Sequence, residues 1–304
     1  MAPTPNRNRR AADRPTAAGR GGRTWTVAIG LAVLVAMAAP VAADPVAAAR
    51  VIHVSPDGHD GASCDSCEPV RTVGRAVQLA ASGDTVEIAG GTYHESVQVY
   101  AKELHLQAAP GAEVVLDGAR PVGGWTASGG DWWAPWTTDF ARAGAPHVYP
   151  AKPEAGWPEQ FFLDGEQLSE VTSRAAVVPG TFFHDRSVDR VWIGDDPAGR
   201  LVEGSDLPWG IYLNHAHGSS VRDIDVQRYA TPYTNMAAVR AYAHDLVLDG
   251  LHVADNAYMG VSAIGERIAV HDTTARDNGH LGMHAHESTD LSITSATLIG
   301  NNRE

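Results

Sequence analysis

Cysteine is scarce in this sequence. Only Cys64 and Cys67 occur among 304 residues, within the stretch SCDSCEP. So few cysteines exclude a scaffold stapled by several disulfides and a four-cysteine zinc site. In an exported chain a closely spaced pair is expected to form a local disulfide. A redox motif or a zinc site is the alternative, although neither a βαβ unit nor a second Cys/His pair lies nearby in the sequence.

Basic residues are also in deficit. The chain has 23 Lys and Arg against 36 Asp and Glu, which gives a net charge of −13. Such a surface repels phosphate backbones and anionic lipids, so we expect no nucleic-acid partner. A strongly polyanionic substrate would require a locally basic groove.

Long apolar runs are lacking outside the N-terminal region, where one extends from Trp25 to Ala39. It follows an arginine-rich leader and precedes the small residues Val41-Ala42-Ala43, which a signal peptidase could read. We therefore predict that residues 1–43 are a secretory signal peptide and that the mature protein is extracellular, with no membrane contact. The alternative is an uncleaved membrane anchor, because the apolar segment could just span a bilayer.

Helical periodicity is clear in one segment, RTVGRAVQLAASGD. Thr72 can cap a helix there, apolar residues from Val73 to Ala80 share one face, and Ser82-Gly83 can end it. The stretches DTVEIAGGTYHESVQV, ELHLQA and EVVLDG that follow alternate apolar and polar residues between Gly or Pro. This alternation indicates short strands.

The C-terminal third repeats with a period of 22 or 23 residues. Three apolar columns recur at this spacing: Val239, Val261 and Met283; Leu246, Ile268 and Leu291; Leu248, Val270 and Ile293. An earlier copy, VRDIDV from Val221, matches LDGLHV from Leu248. Units of this size bury a face only against their neighbours, and strand-like alternation without a recurring helix predicts an all-β parallel β-helix.

Two details of this repeat lead to further expectations. Asn256 and Asn278 are predicted to occupy left-handed backbone positions, which Asn tolerates. The repeat stops at GNNRE without a polar cap, so we expect the solenoid to be incomplete there.

The stretches VIHVSPDGHDG and CEPVRTVGRAVQLAASGDTVEIAGGTYHESVQV resemble the N-terminal cap and first coils of secreted proteins of the pectate-lyase-like superfamily. The resemblance covers residues 51–118 and 209–304. It implies a right-handed parallel β-helix with an N-terminal capping helix, in which 44–120 form the cap and first coils and 207–304 form further coils. The superfamily includes lyases, hydrolases, epimerases and proteins without known activity, so the resemblance implies the fold more strongly than the reaction.

Residues 121–206 break the period and are rich in tryptophan. Their strand-like pieces, EQFFLDGEQLSEV and TFFHDRSVDRVWIGDDPAG, resemble the β-rich insertion of some β-helix glycosidases. Trp132, Trp133 and Trp136 lie in GGDWWAPW, which has the Gly and Pro content of a loop. We expect Trp132 and Trp133 to stack on sugar, and the alternative is that these tryptophans form the core of the insertion.

Strand parity gathers candidate binding residues on one face. If Val239, Val261 and Met283 point inward, their neighbours point outward. The candidates on this face and at the starts of its strands are Arg240, Tyr242, Tyr258, His280, His284 and His286. Rings and hydrogen-bond donors suit a saccharide groove, while the alternative is an ordinary solvated face.

No metal or cofactor is expected at these residues. His280 would lie about 13 Å from His284 on a straight strand, so one ion could not bind all three histidines without a bend at Gly282. Calcium requires clustered carboxylates, and the outward strand face carries none in the sequence pattern.

Asp255 and Asp277 are the candidate catalytic acids. They occupy equivalent positions 22 residues apart, so their backbones should lie about 4.8 Å from each other on neighbouring coils. Carboxyl groups about 5 to 5.5 Å apart suit a retaining glycosidase. The alternative is that each Asp caps its own turn.

These patterns favour a secreted, monomeric glycoside hydrolase acting on a polysaccharide or oligosaccharide. A lyase or epimerase is the second hypothesis, with Arg240 neutralising a uronate and a histidine or tyrosine removing the proton. The third is a non-catalytic glycan-binding or structural surface protein.

Export leads to a prediction for the cysteine pair. Because no other thiol competes, Cys64 and Cys67 should be oxidised to each other in the mature protein. Alkylation without reduction, followed by mass spectrometry, should leave both unmodified. Two alkylated thiols would contradict the disulfide.

Overall fold

The computed structural model describes residues 48–61, 68–144, 148, 151–233 and 237–302. The predicted signal peptide and the predicted Cys64–Cys67 disulfide lie outside these residues. Among the residues described, no helix has the length and hydropathy needed to cross a membrane.

Short strands make up most of the regular secondary structure of the described residues. Before the insertion the elements are β1 (Val51–Val54), α1 (Val73–Leu79), β2 (Asp84–Ile88), β3 (Gly91–Tyr93), β4 (Val97–Tyr100), β5 (Leu104–Ala108) and β6 (Val114–Asp117). The insertion contains β7 (Ala119–Pro121), β8 (Thr126–Ser128), β9 (Asp131–Pro135), β10 (Phe161–Leu163), β11 (Glu166–Gln167), β12 (Ser169–Glu170), β13 (Thr181–Asp185), β14 (Arg190–Ile193) and β15 (Val202–Ser205). Two 3₁₀ turns, Pro153–Gly156 and Arg174–Ala176, also belong to it.

The strands after the insertion recur at the predicted period. They are β16 (Ile211–Asn214), β17 (Ser220–Arg222), β18 (Asp225–Gln227), β19 (Ala237–Tyr242), β20 (Val247–Asp249), β21 (His252–Ala254), β22 (Met259–Ile264), β23 (Ala269–His271), β24 (Thr274–Arg276), β25 (Met283–Ala285), β26 (Ser292–Thr294) and β27 (Thr297–Ile299).

Three parallel sheets enclose the core, which confirms the predicted parallel β-helix. Sheet I has the order β1-β2-β5-β17-β20-β23-β26, sheet II β4-β16-β19-β22-β25, and sheet III β3-β6-β18-β21-β24-β27. The predicted columns are confirmed too: Val239 pairs with Val261 and Val261 with Met283, while Leu248 pairs with Val270 and Val270 with Ile293.

The coils stay in register across the insertion. Strand β4 pairs directly with β16, β5 with β17 and β6 with β18, although about a hundred residues separate each pair in sequence. Gln98, for example, lies beside Tyr212. The insertion therefore leaves one coil and returns to the next without interrupting the stack.

The predicted helix is confirmed over Val73–Leu79. The Thr72 hydroxyl accepts the Arg75 N–H at 3.1 Å, and Val73, Ala76 and Val77 are buried. The helix ends at Leu79 with Ala80 as its C-cap, before the predicted stop at Ser82-Gly83.

An asparagine ladder stabilises the turn that follows sheet III. The buried Asn256 donates from Nδ2 to Asn278 Oδ1, and Asn278 donates from Nδ2 to Asn301 Oδ1, each at 2.9 Å. The prediction of a left-handed backbone at these asparagines is wrong by one residue, because Asp255 (φ 56°) and Asp277 (φ 51°) take that conformation. The turn at each Asp directs the following Asn inward, where its amide can both donate and accept.

This ladder predicts a large cost for Asn278→Ala. The substitution removes four hydrogen bonds of the side chain, including that to the Val253 carbonyl, and leaves buried groups unpaired. We expect a loss of about 1–3 kcal/mol in the free energy of unfolding, measured by chemical denaturation. Asp277→Asn, one residue away in the same turn, is the control and should change stability by less than about 0.5 kcal/mol. Equal effects of the two variants would contradict the role of the ladder.

Candidate functional site

A buried ion network joins the insertion to the coils. Arg228 donates from Nε to Asp117 at 3.0 Å and from Nη1 to Glu203 at 2.5 Å, and its backbone is left-handed (φ 58°). Burial opposes the charge of Arg228, but its hydrogen bonds with the two carboxylates outweigh burial and raise its pKa. Asp117 ends a strand of the coils and Glu203 lies in the insertion. The network therefore fixes the insertion against the coils.

A second link lies beside the first. His94 donates from Nδ1 to the Asp117 carbonyl at 2.8 Å, and its Nε2 lies 2.9 Å from Asp206, which also pairs with Arg120. Both ring nitrogens face acceptors, so the charged imidazolium fits this position. The hydrogen bond to Asp206 accordingly raises the pKa of His94.

Sheet II presents the predicted binding residues on its outer face. Arg240 pairs with Tyr212 on one side and Ser262 on the other, and Ser262 pairs with His284. The Arg240 guanidinium lies 4.0 Å from the Tyr212 ring centre and 4.9 Å from that of Tyr242. Ser262 is in the predicted outward column but is fully buried, with Tyr242 Oη 3.4 Å from its Oγ.

The histidines lie at the same edge of this face. The Tyr258 and His280 rings stack at 4.7 Å with an interplanar angle of 3°, and the His284 and His286 rings are 6.1 Å apart. Burial and, secondarily, the nearby His284 lower the pKa of His280. His286 is exposed and lies 4.0 Å from Glu287, so it is the most peripheral of the group.

Three buried polar atoms of this group have no hydrogen-bond partner within the described residues: Arg240 Nε, His280 Nδ1 and His284 Nδ1. Buried polar atoms are normally satisfied by protein, water or ligand. Their concentration on one face indicates a place where a polar ligand or ordered water binds.

Two neighbouring cavities lie where the insertion meets the coils. The smaller, of 290 Å³, brings Trp157 and Pro158 of the insertion opposite Tyr233, Tyr258 and His280 of the coils. The larger, of 460 Å³, shares Trp157 and Gly279 with it and is lined by Glu159 and Glu170. Trp157 is thus the tryptophan that lines both cavities within the described residues, whereas the sequence led us to expect sugar stacking at Trp132 and Trp133.

Trp132 and Trp133 lie elsewhere, in β9 of the insertion. This segment is a strand rather than the expected loop, in the sheet β8-β9-β14-β13-β12. Trp132 packs against the core of the insertion, and Trp133 lies 3.9 Å from the Arg190 guanidinium and 6.2 Å from Trp192. Trp136 is 2% exposed and belongs to that core. Neither Trp132 nor Trp133 is among the described residues that line the two cavities.

Asp255 and Asp277 lie on neighbouring coils, in equivalent left-handed turns. Arg276 Nη1 lies 3.0 Å from the Asp277 carboxylate and 3.8 Å from that of Asp255. Gln160 of the insertion donates to the Asp255 carbonyl at 3.0 Å, but neither Asp255 nor Asp277 is among the described residues that line the two cavities. Both side chains are half-buried and ion-paired, a geometry that suits turn formation as well as catalysis.

The insertion also contains a charge cluster that sequence patterns did not reveal. Ligand-type atoms of Asp139, Glu159 and His184 lie within 4.8 Å of one another, and the His184 nitrogens lie 3.6 Å from Glu159 and 3.9 Å from Asp139. Arg142 and Arg186 already pair with these carboxylates, at 3.1 Å and 2.7 Å. Burial alone would raise the pKa of Glu159, but His184 and Arg142 outweigh it and lower that pKa. Two guanidinium groups this close disfavour a divalent cation.

The fold is shared with proteins of known structure. No protein-family model matches this chain, and no curated protein matches it in sequence. A structure described as the complex of XylC with xylose is similar to it, with a TM-score of 0.71, 16% identity and 83% of this chain covered. A glycoside hydrolase structure has a TM-score of 0.54 and 13% identity, covering 78% of this chain and 67% of its own. The chain spans about half (54%) of the XylC chain. These likenesses show the fold alone, which is that of a parallel β-helix.

The link between His94 and Asp206 predicts a pH-dependent stability. Because the pKa of His94 is higher in the folded than in the unfolded state, its stabilising contribution is present below the unfolded value of about 6.5. The contribution is lost as pH rises through the folded-state pKa. The stability difference between the wild type and His94→Gln should therefore shrink as the pH rises from about 6 into the alkaline range, measured by urea denaturation. A difference that stays constant over this range would contradict the link.

Proposed function

We propose that this protein binds a polysaccharide or oligosaccharide across the outer face of sheet II and in the adjoining cavities, and that it hydrolyses a glycosidic bond there. The observation that carries the proposal is the group of buried, unpartnered atoms Arg240 Nε, His280 Nδ1 and His284 Nδ1. A sugar has many hydroxyl groups, which can donate to the imidazole nitrogens and accept from the guanidinium.

The rings around these atoms support a sugar ligand further. Tyr212 and Tyr242 flank Arg240, and Tyr258 stacks on His280 across from Trp157. Aromatic rings offer a rigid apolar surface, while their polar tips can hydrogen-bond. A saccharide has both apolar C–H faces and hydroxyl edges, so this mixture matches its chemistry.

Hydrolysis needs two carboxyl groups, and the proposed pair is Asp255 and Asp277. Their equivalent turns on adjacent coils hold the backbones one strand spacing apart, and the Asp255 turn contacts the insertion through Gln160. Arg276 lies against both acids, so it would have to release one of them for that acid to donate a proton. Glu159 and Glu170, which line the larger cavity and both pair with Arg142, are the competing carboxylates.

We propose that this chemistry takes place outside the cell, after removal of residues 1–43.

The XylC structure was solved with xylose, and its overall fold is similar. That likeness supports a carbohydrate ligand without naming the sugar for this chain.

The test is a panel of polysaccharides incubated with the purified protein. New reducing ends without unsaturated uronate absorbance would support hydrolysis, whereas unsaturated products would support a lyase. Binding without either product would support an epimerase or a non-catalytic glycan-binding protein. On a cleaved substrate, Asp277→Asn should lower kcat by about 10²–10⁴-fold, because it removes a titratable carboxyl group at nearly constant size.

Asp272→Asn is the matched control for that variant. Asp272 also occupies a left-handed turn (φ 44°), at the corner between sheets I and III. It should retain full activity. If Asp277→Asn retained full activity as well, the assignment of Asp277 as a catalytic acid would be wrong. A loss of activity in Glu159→Gln would then place the catalytic carboxyl group in the larger cavity.

A further inference from the structure

We propose that Glu103, His105 and Ser220 form a serine-nucleophile site on the outer face of sheet I, and that this site hydrolyses short-chain acyl esters. His105 lies in β5 and Ser220 in β17, two strands that pair with each other across the insertion. The site is separate from the outer face of sheet II and its adjoining cavities. It therefore adds a second activity to the proposed glycoside hydrolysis and does not depend on it.

Strand pairing places the hydroxyl group beside the imidazole. Ser220 lies opposite His105 in register, and the next residues of the two strands, Val221 and Leu106, belong to the core. Ser220 and His105 therefore both point outward. Ser220 Oγ lies 3.0 Å from His105 Nδ1, which is hydrogen-bonding reach for a nucleophile and its base. The His105 side chain is 34% exposed, so a substrate can reach the pair from solvent.

Glu103 sets the tautomer of this imidazole. His105 Nε2 lies 3.6 Å from Glu103 Oε1, an electrostatic contact longer than a hydrogen bond. The carboxylate favours the ring proton on Nε2, so Nδ1 keeps the lone pair that can accept a proton from Ser220. Gly218 leaves room for Glu103, since a Cβ at that glycine would lie 3.0 Å from Glu103 Cδ. Catalytic contacts of this kind commonly shorten when a substrate binds.

The neighbours of Ser220 suit a small acyl group and its carbonyl oxygen. Val247 follows Ser220 in the same outward column and offers apolar surface to the acyl chain. Two residues further along the strands, Gln107 and Arg222 lie opposite each other on the same face. Arg222 donates from Nη1 to Asp249 and carries further N–H donors, as does the Gln107 amide. Donors on this face can stabilise the oxyanion that forms from the carbonyl group.

The reaction needs no other reactant than water. Ser220 Oγ attacks the acyl carbon, and its proton moves to His105 Nδ1. The bond between the acyl carbon and the alcohol oxygen then breaks, and the alcohol leaves with that proton. Water attacks the acyl-serine and gives a proton to His105 Nδ1, which returns it to Ser220 Oγ as the bond to the acyl carbon breaks. The products are the free alcohol and the carboxylic acid.

The first measurement is the hydrolysis of p-nitrophenyl acetate by the purified protein. Ser220→Ala and His105→Gln should each lower kcat by about 10²-fold or more, because they remove the nucleophile and its base. The double variant should be no slower than either single variant, because the two residues act as one unit. Full activity in either single variant would overturn the site.

A fluorophosphonate probe identifies the nucleophile directly. Digestion and tandem mass spectrometry should place the adduct on Ser220, and His105→Gln should abolish the labelling. Ser292 is the matched control, because it is exposed in the same outward column three coils further on. It should stay unlabelled, and Ser292→Ala should keep full activity. An adduct on another residue alone would overturn the assignment of Ser220.

Glu103 is a positioning residue, because it acts through His105. Glu103→Gln should lower kcat about tenfold with KM unchanged, and Glu103→Asp should recover part of the loss. His53→Gln is the control, because His53 lies 3.2 Å from Glu87 on the same sheet and is opposite that acid rather than a serine. It should leave the rate unchanged. Circular dichroism and the unfolding midpoint should show that each variant is folded.

The outcomes separate this site from other sources of ester hydrolysis. Activity that survives in both Ser220→Ala and His105→Gln would come from other groups and would overturn the site. Absence of both hydrolysis and labelling in the wild type would also overturn it, and would leave the contact between Ser220 and His105 as a hydrogen bond that only joins neighbouring coils. Neither result bears on glycoside hydrolysis, which the polysaccharide panel tests separately.

Discussion

The constraint on which this structure depends is the parallel pairing of coils across the insertion. Strands β4, β5 and β6 supply the edges on which β16, β17 and β18 lie, so the repeat continues in one register from the first coils to the last. A slip of one residue would exchange the inner and outer faces of every strand that follows. Arg240 would then point into the core and Val239 into the groove. The outer face of sheet II therefore exists only because this pairing is kept.

The insertion is held to the coils by ion pairs, whereas the coils are held to one another by apolar packing. Arg228 lies in a left-handed turn between Asp117 and Glu203, and removal of one partner would leave a buried charge uncompensated. A buried network of this kind adds little to the net stability, but it fixes the relative position of the elements that it joins. It holds β15 of the insertion against the end of β6, where a hydrophobic contact alone would allow sliding.

The sequence predicts the repeating part of the molecule well and the junction poorly. Periodic columns such as Val239, Val261 and Met283 identify neighbours because each coil repeats the same inward pattern. Trp157, Glu159 and Glu170 come together at the larger cavity only through the tertiary structure of an aperiodic segment, and no spacing in the sequence relates them. Flanking Gly and Pro residues suggested a loop around Trp133, but cross-strand pairing with Trp192 makes that segment a strand.

The location of the acids decides the charge of the outer face of sheet II. Of the non-glycine residues with left-handed backbone in the described part, eight are aspartates: Asp164, Asp189, Asp223, Asp245, Asp255, Asp272, Asp277 and Asp290. Aspartate suits such turns because its short side chain can hydrogen-bond locally. Part of the negative charge of the chain therefore comes from aspartates in the turns between strands. Because the corners hold these acids and the outward columns of sheet II hold none, the face around Arg240 can be cationic in an acidic protein. The same geometry keeps a corner acid such as Asp255 off the outward columns of sheet II, in the turn between β21 and β22.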